Sequence, residues 1–338
     1  MKINREKLLN LLELAEPGLA SREIIEQSTC FVFKDGLLTT FNDEIACQQK
    51  TKLKIKGAIQ AKPLLALLRK MTDVKIEIDA VGDSFQIKGR RKGAKIAMDK
   101  KIQLPIDEIE TPKNWINLKD DFYDTIKMLR ACASTDESTF KLTCIHITPK
   151  YMEAMDNYQA IRVKIKLNIR KNLLVRSDSL NQAARLNISQ MSETKRWLHF
   201  KTPNGLIFSC RKYLEEYHDL DEMLNIKGKK IKLPKGLKDA AEKAQIFSDT
   251  NAESTNILVE IRSNKLRLTG TGTEGKYWEF KNINYSGPAM EFQISPQLLS
   301  NIVTSYQECE ITPDRLKAKG PNFTYIAALN KINDEKDE

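Results

Sequence analysis

Histidine is scarce, with three in 338 residues, at positions 146, 199 and 218. They are far apart in the chain and show neither metal-ligand spacing nor a local triad pattern, so metal and nucleophile-base roles are not expected. The six cysteines, at 30, 47, 132, 144, 210 and 309, include no CxxC pair. They are expected to be buried, reduced thiols. No run approaches the roughly 18–20 consecutive apolar residues that a membrane helix needs. The opening MKINREKLLNLLELAE has no apolar stretch before a small-residue cleavage site, so it does not read as a secretory signal. The chain is expected to be soluble and cytoplasmic, with no membrane partner. With 14 Gly, 11 Pro and 41% hydrophobic residues, it is neither collagen-like nor low-complexity nor disordered.

Cations exceed anions. Lys and Arg number 55 against 45 Asp and Glu, a formal charge of +10. That balance hints at a polyanionic partner and says nothing about fold. The length suggests two or three domains and is enough to bury a large apolar core without disulfides.

The informative signal is internal repetition. FVFKDGLLTTFNDEIACQQK at 31–50 has two alternating runs joined at Asp35-Gly36, a hairpin pattern because both residues tolerate positive φ. IHITPKYMEAMDNYQAIRVKI at 145–165 and LVEIRSNKLRLTGTGTEGKYWEF at 258–280 repeat the layout. Helical spacing precedes each triplet: Leu8, Leu12 and Ala15; Phe122, Ile126, Leu129 and Ala133; Leu237, Ala240, Ala244 and Phe247. A second helix is predicted after each, over 62–71, 178–186 and 296–304. Ser295 and Pro296 mark the start of the last. Short alternating strands follow each second helix, with a Pro203-Asn204-Gly205 turn in the middle set. Polar joints near 104–112 and 214–229 separate the units. The predicted organisation is three domains, 1–110, 111–225 and 226–332, and a frayed acidic tail at 333–338.

This doubled and tripled arrangement resembles the bacterial sliding clamp, the DNA polymerase III beta subunit. GAIQAKPLLALLRKM, YMEAMDNYQAIRVKI and NYSGPAMEFQISPQLLSNIV are similar to family segments in the first, second and third domains. The resemblance implies an α+β fold of three repeated clamp domains, each with two helices packed on antiparallel sheets. Two chains are then expected to close head to tail into a homodimeric ring. The implied function is that of a processivity factor that encircles double-stranded DNA without sequence preference. It would tether the replicative polymerase in the cytoplasm of a bacterium or an infected host. A non-ring DNA-binding replication accessory protein of the same fold is the alternative reading.

In such a ring the helix faces off the apolar stripes meet phosphates. The candidates are Arg5, Lys7, Arg69, Lys70, Lys127, Arg130, Arg185, Lys235 and Lys238. The sixth helix offers Gln297 and Asn301 and no base. Family clamps also bind short peptide motifs of the polymerase and the clamp loader. By position, that pocket falls on Met155, Asn157, Tyr158, Gln159, Ala160, Met223, Leu224, Ala328, Leu329 and Asn330. The family's Gly-His-Arg is Asn157-Tyr158-Gln159 here, and its Met-Pro-Met is Ala328-Leu329-Asn330, so a different peptide preference is implied. The subunit joint is expected at Ile96 and Met98, meeting Ile246 and Phe247. The basic run at 88–101 departs from the typically acidic family. Either the outer surface is basic too, or nucleic acid is contacted more directly.

No catalytic residue, metal or cofactor is expected. Gly270-Thr271-Gly272 lies in a strand pattern with no following Lys-Ser/Thr or helix, unlike a phosphate loop. Asp120 and Asp121 open a predicted helix, where acidic residues favour the macrodipole.

Overall fold

The computed structural model describes residues 1–118, 121–169, 171–248 and 256–330. Asp120 and the expected tail at 333–338 lie outside the described residues. The helices are α1 (Arg5–Ala15), α2 (Ala61–Lys70), α3 (Phe122–Arg130), α4 (Ser177–Ala184), the single turn α5 (Asp221–Leu224), α6 (Leu237–Ile246) and α7 (Pro296–Ser305). They pack in pairs: α1 with α2, α3 with α4, and α6 with α7.

Apolar spacing accounts for the buried faces. Leu8, Leu12 and Ala15 are the buried residues of α1, and its start is capped by Asn4, whose Oδ1 accepts the Lys7 N–H at 3.0 Å. Phe122, Thr125, Ile126 and Leu129 are buried in α3, and Leu237, Ala240, Ala241 and Ala244 in α6. Two local readings need correction. Ser295 occupies the N-cap position of α7, but its side chain makes no capping bond; its carbonyl accepts the Leu299 N–H at 3.0 Å. Pro296, with its preset φ, is what marks this helix start. Phe247 lies just past α6 and stacks on Tyr277, with ring centroids 6.0 Å apart.

All named strand pairs are antiparallel. At the first hairpin Asp35 and Gly36 have φ of 51° and 74°, the positive-φ pair that the sequence requires. The chain forms two compact units. One comprises 1–131, 143–149 and 167–216, and the other 132–142, 150–166 and 217–338.

In the first unit, Ile45–Lys50 pairs with Ile207–Tyr213, joining the hairpin at its front to strands 160 residues later. The second unit repeats the device with Gln159–Lys164 and Phe323–Ala328. In each unit an early strand triplet is thus extended by a late one. Gly270 lies inside the strand Lys265–Gly272, and a Cβ there would collide with the Ala244 carbonyl of α6. Its glycine permits close helix–strand packing.

All six cysteines are free and buried, and burial pushes Cys47, Cys144 and Cys309 up to about 12. Trp197 is fully buried and its indole N–H donates to the Glu108 carbonyl at 3.0 Å. His199, also fully buried, has Nδ1 2.7 Å from Ser209 Oγ and Nε2 2.9 Å from Thr194 Oγ1. Burial lowers its pKa from 6.5 to about 4, against the opposing pull of Glu110. Below 6.5 the unfolded chain takes up a proton here that the folded chain refuses. This contribution to stability is therefore complete above pH 6.5 and declines as pH falls towards 4. Urea midpoints measured from pH 7.5 to 5 should fall more steeply for the native chain than for His199→Gln; parallel curves would refute this assignment.

Candidate nucleic-acid and peptide-binding sites

The nine cations expected on the helix faces do not have equal freedom. Lys7, Lys70, Lys127, Arg185 and Lys235 are exposed and have no ion-pair partner among the described residues. Lys238 is exposed and 3.9 Å from Glu242, one helical turn away. Arg69 donates from Nε to Glu13 at 2.9 Å and from a terminal nitrogen to Glu16 at 2.7 Å. These bonds to Glu13 and Glu16 raise its pKa and cancel its charge locally. Arg130 donates to Asp178 at 2.6 Å, tying α3 to α4. Arg5 donates to the Leu68 carbonyl at 3.1 Å, tying α1 to α2. Three of the nine are therefore already engaged in joining helices, which spacing along a single helix does not disclose.

Eight of the ten residues expected around a peptide pocket fall into two neighbourhoods of the second unit. Ala160, Leu224 and Ile326 form a buried cluster with Leu220, and Met155 and Met223 pack against it. Tyr158, Gln159, Ala328 and Asn330 line a cavity of about 370 Å³. Asn157 is exposed and Leu329 is buried. The cavity's other wall comes from the start of α7: Ser295, Gln297, Leu298 and Asn301. Gln297 donates to Asn301 at 3.0 Å. The helix pattern put these two residues with the DNA-facing set; the tertiary structure brings them beside Tyr158.

The turn presenting Tyr158 is held firmly. Asp156 Oδ1 accepts the backbone N–H groups of Tyr158 and Gln159 at 2.7 and 2.8 Å. The Gln159 amide donates to Asp156 at 3.0 Å, and its oxygen accepts from the Tyr325 hydroxyl at 2.9 Å. Burial pushes the Tyr325 phenol far up, so it stays a donor. Tyr158 is left 52% exposed at the rim.

The expected joint residues differ in burial. Ile96 and Met98 are interior, opposite Phe85 and Ile59 respectively. Ile246 is 72% exposed. Among the described residues Gly275–Asn282 pairs only with Lys265–Gly272. Lys92–Asp99 pairs with Ser84–Gly89, and on its other edge only Met98 and Asp99 find a partner, in Gly57–Gln60. Both strands thus present an open backbone edge among the described residues.

Arg162 fastens α5, and with it the apolar cluster, to the sheet. It donates to Glu153 at 2.6 Å and to Asp221 at 2.5 Å, and lies 4.3 Å over the Tyr151 ring. Burial alone would lower its pKa, but Asp221 and Glu153 raise it. Glu153 is itself buried. Arg162→Ala should therefore cost about 3–5 kcal/mol in chemical denaturation, the range for removing one partner of a buried pair. A loss below about 1 kcal/mol would exclude this role.

No protein-family profile matches the chain, and no curated protein matches it in sequence. Solved structures do match. The sliding clamp (DNA polymerase III subunit beta) of Bartonella birtlesii, bound to griselimycin, has a TM-score of 0.86 at 12% identity, covering 98% of this chain and 99% of that one. The beta subunit of DNA polymerase from Streptococcus pyogenes has a TM-score of 0.81 at 17% identity, with the same coverage. The Thermotoga maritima DNA polymerase III beta subunit has a TM-score of 0.82 at 14% identity, again over 98% and 99%. Nearly end to end, the chain has the fold of the bacterial DNA polymerase III beta sliding clamps.

Proposed function

We propose that this chain is a DNA sliding clamp, a processivity factor that closes around duplex DNA as a head-to-tail homodimer. The observation that carries this reading is the pairing of strands between repeats. An early triplet is extended by a late one twice within the chain, at Ile45–Lys50 with Ile207–Tyr213 and at Gln159–Lys164 with Phe323–Ala328. The third early triplet ends in Gly275–Asn282 and the first late triplet ends in Lys92–Asp99, each with an open edge among the described residues. One copy's Gly275–Asn282 can extend the sheet of another copy's Lys92–Asp99, and a second such joint closes the ring. Closure removes both edges, as a head-to-tail interface does when its rotation closes the ring. In this reading the three repeats are clamp domains at 1–110, 111–225 and 226–332.

Ile246 and Phe247 sit beside the open strand Gly275–Asn282 and supply apolar contact at the joint. The unpaired cations Lys7, Lys70, Lys127, Arg185 and Lys235 attract phosphate without reading sequence. Arg69, Arg130 and Arg5 set the helices that carry them. Topological enclosure makes tight contact unnecessary, so partial neutralisation of the helix faces suits sliding. The Tyr158 cavity and the neighbouring apolar cluster form a surface for short peptide motifs of a replicative polymerase and a clamp loader in the cytoplasm. The chain acts by tethering and carries out no chemistry.

Loading onto nicked circular DNA, followed by linearisation and gel filtration, tests the reading. The protein should stay on circles and leave linear DNA, and Ile246→Asp with Phe247→Asp should abolish both dimer and retention. Equal retention on circles and lines would point instead to a non-ring DNA-binding accessory protein. A Tyr158→Ala, Leu298→Ala variant should bind the polymerase's motif peptide at least tenfold more weakly while retaining the native mass; unchanged affinity would displace the pocket.

A further inference from the structure

The strand Gly275–Asn282 carries two large apolar rings, Trp278 and Phe280, on the face away from α6, which an edge strand in water does not favour. On the helix side Phe247 stacks on Tyr277. On the other side Trp278 and Phe280 are 54% and 57% exposed, the two aromatic rings most open to water among the described residues. Trp278 lies opposite Thr269, and Phe280 lies opposite Arg267, whose guanidinium is 5.8 Å from the Phe280 ring centroid. Both rings therefore have partners within the sheet on one side only and face the open edge on the other.

The second open edge has the reverse relief. On the outward face of Lys92–Asp99 the exposed residues run Gly93, Lys95, Ala97 and then Asp99, which lies opposite Ala58 at the paired end of the strand, while Ile96 and Met98 point inward. The first three put one long cation between two of the smallest side chains. Gly93 does not need positive φ, since it lies opposite Lys88 in a regular ladder. A glycine there leaves bare backbone on a solvent-facing strand, a surface that cross-strand aromatic rings cover well.

We propose that Trp278 and Phe280 of one copy pack across the joint onto Gly93, Lys95 and Ala97 of a second copy, forming an aromatic belt on the outer face. This rests on the ring reading and adds a determinant of partner choice to it. Two bulky rings meet two small residues, so the relief interlocks. The Lys95 ammonium lies against a ring face, where a desolvated cation is attracted by the ring quadrupole. The basic run at 88–101 thereby has a role in pairing: its cation is matched to rings rather than to carboxylates. Backbone pairing alone accepts any open edge; large-against-small relief and a cation matched to rings accept this one.

The test is dimer dissociation on dilution, followed by analytical ultracentrifugation. Trp278→Ala with Phe280→Ala should raise the dissociation constant at least tenfold, and so should Lys95→Glu and Gly93→Glu. Because Trp278, Phe280 and Lys95 are exposed in the single chain, the thermal midpoints of the Trp278→Ala, Phe280→Ala double variant and of Lys95→Glu at dissociating concentrations should stay unchanged. In a Trp115→Phe background, the Trp278 emission should shift to the blue as dimer forms. A native dimer whose dissociation is unmoved by all three variants overturns the belt and leaves the ring standing. A native chain that stays monomeric at every concentration, with and without circular DNA, overturns the ring and the belt together.

Discussion

Everything in this structure depends on what happens at the edges of antiparallel strands. An unpaired strand exposes a row of amide and carbonyl groups that will accept any other edge. Here Ile45–Lys50 and Gln159–Lys164 each hand their free edge to a strand about 160 residues further on. Long-range pairing of this kind brings α1 and α4 onto one sheet and carries Tyr158 to Ala328. Where the series of repeats stops, Lys92–Asp99 and Gly275–Asn282 keep open edges among the described residues, and these are where the proposed second copy would pair.

The helix faces show how electrostatics is tuned by packing. Arg69 between Glu13 and Glu16, and Arg130 against Asp178, hold neighbouring elements together. Exposed pairs of this sort contribute little to stability, typically about 0–1 kcal/mol each. Their larger effect is to lower the net positive charge of the faces. What remains is a thin scatter of lysines with one arginine, suited to screened, non-specific attraction to a polyanion.

The proposed peptide surface is built differently, from rigid support beneath exposed side chains. Asp156, Gln159 and Tyr325 fix the turn, and Arg162 fixes α5, so that Tyr158 and the apolar cluster are held ready. Ordering cost is met during folding, which favours capture of a flexible segment. Asn157-Tyr158-Gln159 and Ala328-Leu329-Asn330, which depart from the residues the resemblance led one to expect, are carried on this scaffold.

The repeated pattern, the helix stripes headed by Leu8, Phe122 and Leu237, and the Asp35-Gly36 turn were legible in the amino-acid order, because each depends on contacts between residues a few positions apart. So were the free thiols, since no spacing among the six cysteines favours a metal or a bridge. Local order did not disclose that Gln297 and Asn301 belong with Tyr158, that Arg5 is spent on the Leu68 carbonyl, or that Ile96 and Met98 are interior. It also gave no sign that Trp278 and Phe280 stand in water beside an open edge, because alternation alone does not say which face of a strand is covered. Those outcomes follow from which distant strand takes up each free edge, and only the folded chain decides that.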